Sequence, residues 1–249
     1  MKIVTFNLRL DTERDGEKRF ENRKNEIIRK IRDEKPDVIG FQEALPHMLS
    51  WLREQLPEYQ FGGHGRSAQY DDEANPIACR KDRFAVRAME CFWLSGDPET
   101  AGSKFGEECV IFPRICTMML LHDMQSGKDL RVLNTHLDNR GQKSRKWGLE
   151  LILKKMQQWD EKSYPTVLMG DFNCKPDAEE LAPLAENPDY YDAAADIPYT
   201  FHGYHTAQQK IDYIFVSSSI VCSRCYVWED YPGGINLSDH YPICFEGEI

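Results

Sequence analysis

Five short stretches of this chain place polar side chains at the ends of apolar, strand-like runs. Leu237-Ser238-Asp239-His240-Tyr241-Pro242 sets an aspartate beside a histidine directly before the strand-like residues 242–246. Asn7 follows Ile3-Val4-Thr5-Phe6, and Gln42-Glu43 follows Asp37-Val38-Ile39-Gly40-Phe41. His136 stands in Asn134-Thr135-His136-Leu137-Asp138, and Asp171 and Asn173 share Gly170-Asp171-Phe172-Asn173. Carboxylates, amides and imidazoles gathered from several strand ends suit a metal-dependent site that cleaves phosphoesters. They offer oxygen ligands for a hard cation, a base for water and donors for phosphate.

Glu43 is the first choice as metal ligand. Magnesium favours one or two carboxylates together with waters and a phosphate oxygen, and a charge at the end of an apolar strand is costly without a counter-ion. The alternative is a solvated glutamate at the start of a helix beginning near Pro46. For Asp171 and Asn173 the alternative is a simple Asx turn, which can form and still serve catalysis, since Gly170 lets the chain turn sharply.

The elements that must position these groups alternate between strand and helix. Ile27, Ile28 and Ile31 recur at helical spacing across residues 21–34, with Pro36 as the stop, and Leu149, Ile152, Leu153 and Met156 do so across 142–160. Shorter helices are expected at residues 46–56 and 178–184. Strands are expected at residues 2–8, 38–42, 76–80, 84–93, 115–122, 130–134, 166–170, 211–216, 221–228 and 241–246, with a hairpin turn at 123–128. Residues 62–73, 95–113 and 188–205 read as long surface loops, the usual place for substrate specificity. Periodicity alone says α/β.

With Ile211-Asp212-Tyr213-Ile214 added, six motifs fall in one order along nearly the whole chain: T-x-N, Q-E, N-T-H-L, G-D-F-N, I-D-Y-I and S-D-H. In this the sequence resembles the endonuclease/exonuclease/phosphatase superfamily, which includes pancreatic deoxyribonuclease, abasic-site endonucleases, deadenylases, neutral sphingomyelinases and inositol polyphosphate 5-phosphatases. The resemblance implies one domain over residues 1–249 with a four-layer α/β sandwich, two packed mixed β-sheets flanked by helices. It also implies hydrolysis of a P–O bond by in-line attack of water with Mg²⁺ or Mn²⁺.

The resemblance further implies residue roles. Asn7 and Asp239 complete the inner or second shell of the metal at Glu43. Asp171 orients or deprotonates water, and Asn173 stabilises charge in the transition state. Asp212 bonds the ring of His240, which competes with Asp171 for the role of general base; the His240–Asp212 pair is the preferred reading. His136 acts as phosphate donor or leaving-group acid and is oriented by Glu73, which stands seven residues before the strand-end Arg80. The stretch 134–147 stands closer to deadenylases and tyrosyl-DNA phosphodiesterases than to abasic endonucleases.

Composition bounds the substrate. A formal net charge of −10 among 249 residues opposes tight, nonspecific binding of long polyanions. The expected partner is a phosphoester, either nucleic acid or a small phosphodiester. The alternatives are a small-molecule or lipid phosphoesterase, or an inactive scaffold, which should have lost one of Glu43, Asp171, Asp212 or His240. Arg114, Arg140, Arg145 and Lys210 are candidate phosphate holders, and Phe201, Tyr204 and Trp93 candidate stacking groups. His47, His64, His122, His202 and His205 fit no metal spacing. No apolar stretch has the length of a membrane span, and strand residues from Lys2 leave no room for a signal peptide. The eight cysteines read as reduced thiols, with Cys222 and Cys225 on opposite faces of a strand, which fits a reducing cytoplasm; a monomer is expected.

Overall fold

A computed structural model describes residues 1–107, 109–159, 163–205 and 208–249. Among the described residues, twelve strands form two sheets of six. The first holds β1 (Lys2–Asn7), β2 (Val38–Gln42), β3 (Tyr59–Gly62) and β4 (Ile77–Arg80), with β11 (Val221–Val227) and β12 (Ile243–Glu248), in the order β11-β12-β1-β2-β4-β3. The second holds β5 (Phe84–Trp93), β6 (Ile115–Asp123), β7 (Asp129–His136), β8 (Thr166–Asp171), β9 (Tyr190–Asp192) and β10 (Asp212–Ser217), in the order β5-β6-β7-β8-β10-β9.

Each sheet is mixed in the same way. One parallel pair, β1 with β2 or β7 with β8, lies inside otherwise antiparallel neighbours. A parallel pair needs a crossover, and α1 (Phe20–Glu34) and α3 (Gln142–Gln158) supply one to each sheet. Helix α2 (Pro46–Gln55) joins α1 on the first sheet, and a short α4 (Ala182–Ala185) joins α3 on the second.

The strands read as continuous apolar runs because both of their faces are buried. Ile3, Val38, Val132 and Val167 point between the sheets into a central core shared with Met169, Ile214 and Phe245. Their neighbours Val4, Ile39 and Phe41 pack outward under Ile27, Ile31 and Leu52. Leu133 and Leu168 do the same under Leu149, Ile152 and Met156. The result is the expected helix–sheet–sheet–helix sandwich, closed at its middle by polar bonds. The Gln42 amide donates to Asn134 Oδ1 at 2.6 Å, and the Asn134 amide donates to the Phe41 and Pro76 carbonyls.

Some local expectations fail. The short strands β3 and β9 went unforeseen, β9 inside a stretch read as loop. Residues 178–184 form a 3-10 turn, Glu179–Leu181, before α4 rather than one helix. The expected end of α3 at residue 160 lies outside the described residues. Cys222 and Cys225 do not face opposite ways: a register shift between Cys222 and Arg224 turns both onto the central core. All eight cysteines are free thiols. No described helix is long and apolar enough to cross a membrane.

Candidate active site

The parallel pairs carry their polar residues to one rim because both end there. Asn7 closes β1 and Glu43 follows β2, while His136 and Asp171 close β7 and β8 as register partners. Strand β10 runs antiparallel to β8, so it begins where β8 ends, and Asp212 pairs with Asp171. The loop before β12 adds Asp239 and His240.

Asp171 Oδ2 is the meeting point. It accepts from Asn7 Nδ2 at 3.0 Å and lies 3.4 Å from His136 Nε2 and 3.8 Å from His240 Nε2. The same Asn7 amide donates to Glu43 Oε1 at 3.1 Å, so one side chain of the first sheet ties together carboxylates from both. Asn7 Oδ1 accepts from the Arg9 backbone. That bond turns the amide nitrogen toward the carboxylates and makes Asn7 an outer holder of the cluster. Glu43 Oε2 accepts from the Leu10 backbone at 2.8 Å. Asp239 Oδ1 lies 3.9 Å from His240 Nε2.

His240 is fixed from behind. Its Nδ1 lies 2.9 Å from Asp212 Oδ2, and Thr200 Oγ1 donates to that same oxygen at 2.5 Å while accepting from the Ile211 and Asp212 amides. Phe201 packs on the His240 ring with centroids 4.8 Å apart. Asn173 donates from Nδ2 to the Leu137 carbonyl, and its backbone amide bonds Asp171 Oδ1.

Burial and like charge set the protonation states. Burial, with Asp212 nearby, pushes the Asp171 carboxyl up to about 7, and burial also raises Asp239. Burial opposes charge on His240, but Asp212 and Asp171 outweigh it and raise the ring to about 10. His136 goes the other way, held well below its ordinary value by burial and by Arg114 and Arg66. That shift favours the neutral imidazole.

Backbone strain marks the same place. Arg9, Glu43 and Asn173 adopt left-handed φ values of 55°, 58° and 53°. Gly170 must be glycine, for at φ 145° a Cβ would sit 1.9 Å from the Thr135 carbonyl oxygen.

A cavity of about 460 Å³ opens over this cluster. Its far wall includes Arg66, Glu73, Phe112 and Arg114. Here one pairing expected from the sequence is corrected. Glu73 does not hold His136; its two carboxylate oxygens accept from Arg66 Nη1 and Nη2 at 3.1 and 2.7 Å. The partner of His136 is Asp171. Of the four proposed phosphate holders only Arg114 lines the cavity, with its Nε lacking a hydrogen bond. Arg145 is bound to Glu180, Lys210 to Asp192, and Arg140 is exposed. Of the aromatics, Phe201 lines the cavity, whereas Trp93 is buried behind it and Tyr204 packs against Lys18.

The sequence reading missed three supporting residues. Thr200 gives no spacing signal, because its bond to Asp212 spans a loop. Arg66 looked like ordinary loop charge. Arg23 of α1, fully buried, donates to the carbonyls of Lys18, Leu8, Leu237 and Arg9, and so clamps the end of β1 to the loop carrying Asp239.

Comparison with known proteins agrees with this geometry. The model of the endonuclease/exonuclease/phosphatase family matches residues 4–240. The chain belongs to that family. Its members are hydrolases acting on phosphoesters, and the family uses a divalent metal. Among solved structures, an endonuclease/exonuclease/phosphatase from Bacteroides vulgatus superposes with a TM-score of 0.92 at 30% identity, over 100% of this chain and 98% of that one. A mannosyl-6-phosphatase of Bacteroides thetaiotaomicron gives 0.91 at 26% identity, covering 100% of both. D. rerio TDP2, complexed with a single-strand DNA product, gives 0.75 at 17% identity over 100% of this chain and 99% of that one, a likeness of fold alone. The family's phosphoesterase fold and a Glu43–His136–Asp171 cluster with ligand atoms within 4.8 Å of one another therefore coincide.

Proposed function

We propose that this chain is a Mg²⁺- or Mn²⁺-dependent phosphoesterase that hydrolyses a small phosphorylated molecule, most directly a phosphomonoester, by in-line attack of water. The observation that carries it is the convergence on Asp171 Oδ2 of groups from both sheets, with Glu43 beside it.

The donor set fits a hard divalent cation. Glu43 and Asp239 supply oxygens, Asn7 fixes Glu43, and the buried carboxylates of Asp171 and Asp212 share the same rim. When bound, the ion neutralises the phosphate and polarises its oxygens. The residues do the rest. Asp171, poised near neutral pH, takes the proton of the attacking water. His240, kept charged by Asp212, holds a phosphate oxygen, and neutral His136 donates a second hydrogen bond. The Asn173 backbone N–H holds Asp171 Oδ1, and Arg114, its Nε 3.7 Å from Asp138, adds positive charge to the cavity wall. This assigns the base to Asp171 in place of the His240–Asp212 pair preferred from the sequence, because the pair's surroundings keep it protonated.

A small substrate is favoured by three observations. The net charge is −10, the cavity is walled on one side by Arg66, Glu73 and Phe112, and the likeness to the mannosyl-6-phosphatase runs the full length of both chains. The test is a panel with Mg²⁺ and with Mn²⁺: mannose 6-phosphate, p-nitrophenyl phosphate, bis-(p-nitrophenyl) phosphate, inositol phosphates, sphingomyelin, 5′-tyrosyl DNA, oligo(A) RNA, and single- and double-stranded DNA. Asp171→Asn is the contamination control. Turnover of monoesters is expected; turnover confined to polynucleotides or lipid would reject the small-substrate reading.

A further inference from the structure

Arg66, Glu73 and Phe112 line the same cavity as the catalytic cluster, yet they come from two loops outside it. The Arg66 guanidinium is spent on protein partners. Nε donates to Asp72 Oδ2 at 3.0 Å, both Nη groups go to Glu73, and the residue is only 5% exposed. Its carbonyl is pinned by the Trp93 indole N–H at 2.6 Å. Gly65 permits the loop to fold this tightly, since a Cβ there would sit 2.1 Å from the Asp71 carbonyl oxygen. The Phe112 ring lies against the guanidinium, 4.7 Å from its centre, while 46% of the residue stays exposed. The assembly is a hydrogen-bonded plate with an open aromatic side.

We propose that this plate is the seat of the leaving group and that it selects a polyhydroxylated ring, so that the substrate is a sugar phosphate; the inference rests on the phosphoesterase reading above. Charge disfavours other occupants. Arg66 is spent on Asp72 and Glu73, so the plate has no net positive charge of its own to attract a second phosphate or a nucleic-acid backbone. An apolar leaving group would strip water from Glu73 and return no hydrogen bond. Ring hydroxyls do return one. A carboxylate held in bidentate contact with Arg66 keeps lone pairs free to accept from adjacent hydroxyls, and Phe112 offers a face for the ring's C–H groups. In the reaction the water oxygen bonds to phosphorus and the ester P–O bond breaks. The sugar leaves as its alcohol, taking up overall the proton that Asp171 removed from the water, and inorganic phosphate is the other product.

The test uses the full chain with Mg²⁺ or Mn²⁺ and three phosphates: mannose 6-phosphate, cyclohexylmethyl phosphate, which keeps the ring but has no hydroxyls, and acetyl phosphate, which has no ring. Wild type should prefer mannose 6-phosphate over cyclohexylmethyl phosphate by at least ~100-fold in kcat/KM, as sites built to bond hydroxyls do. Phe112→Ala should lower the ratio of mannose 6-phosphate to acetyl phosphate turnover about tenfold, mainly through KM, and Phe112→Trp should restore it. Glu73→Gln should lower the same ratio, read beside its melting temperature because this carboxylate is buried. Phe112 is exposed, so its variants decide if Glu73→Gln fails to fold. Equal rates on the two ring phosphates, or a ratio unmoved by Phe112→Ala, would overturn the proposal, as would cleavage of acetyl phosphate alone. Cleavage of none of the three with either metal would instead remove the small-substrate phosphoesterase reading, and this proposal with it.

Discussion

Oδ2 of Asp212 stands 2.9 Å from Nδ1 of His240 and also accepts the Thr200 hydroxyl, so the ring's orientation and the largest part of what favours its charge share one source. If the two act as a unit, Asp212→Asn should reproduce much of the loss of His240→Ala, on the order of a hundredfold in kcat, and the double variant should be little worse than His240→Ala. The check is a double-mutant cycle on the rate with p-nitrophenyl phosphate. Fully additive losses would mean the bond is structural only.

Glu43 is held by Asn7 and Leu10 at the end of β2 and is the chief metal ligand in this account. Glu43→Gln keeps its shape and removes its charge. The Mg²⁺ concentration for half activity should rise by about tenfold or more, and the upward shift in melting temperature that Mg²⁺ gives wild type by mass action should shrink. An unchanged metal titration would take Glu43 out of contact with the ion.

Proton and metal should compete. Burial and Asp212 raise Asp171 to about 7, so below that pH it holds a proton that a cation must displace, and burial makes Asp239 easier to protonate than an ordinary carboxyl. Affinity for Mg²⁺ should therefore strengthen as pH rises from 6 toward 8 and then level off. A half-activation concentration that is flat over that range would show that these carboxyls are ionised throughout.

Arg23 is a buried cation whose partners are four carbonyls rather than a carboxylate. Arg23→Met fills similar space but strands those acceptors. The expected cost is ~2–4 kcal/mol in chemical denaturation. Metal affinity should fall as well, because the clamp joins β1 to the loop carrying Asp239.

Much of this site was legible because strands with both faces buried leave little choice for a polar residue except their ends. Asn7, Glu43, His136, Asp171 and Asp239 stood out on that ground, and the motif order supplied Asp212 as the partner of His240. The part that was not legible depends on loops. Glu73 lies seven residues from both Arg66 and Arg80, and spacing cannot tell which arginine the loop brings back to it; the tight fold at Gly65 decides for Arg66. The left-handed backbone at Glu43 leaves no trace in the residue type, whereas asparagine at 173 tolerates that conformation readily. Strands β3 and β9 are four and three residues long, too short for alternation to register.

The central claim is that water attacks phosphorus at a metal-assisted site centred on Asp171. Its most direct test is the hydrolysis of mannose 6-phosphate in ¹⁸O-labelled water with Mg²⁺ or Mn²⁺, following the label by mass spectrometry. The account predicts one labelled oxygen in the inorganic phosphate and none in the sugar, no turnover after chelation, and a loss of at least ~100-fold in Asp171→Asn. Label in the sugar hydroxyl, or full turnover by Asp171→Asn, would contradict it.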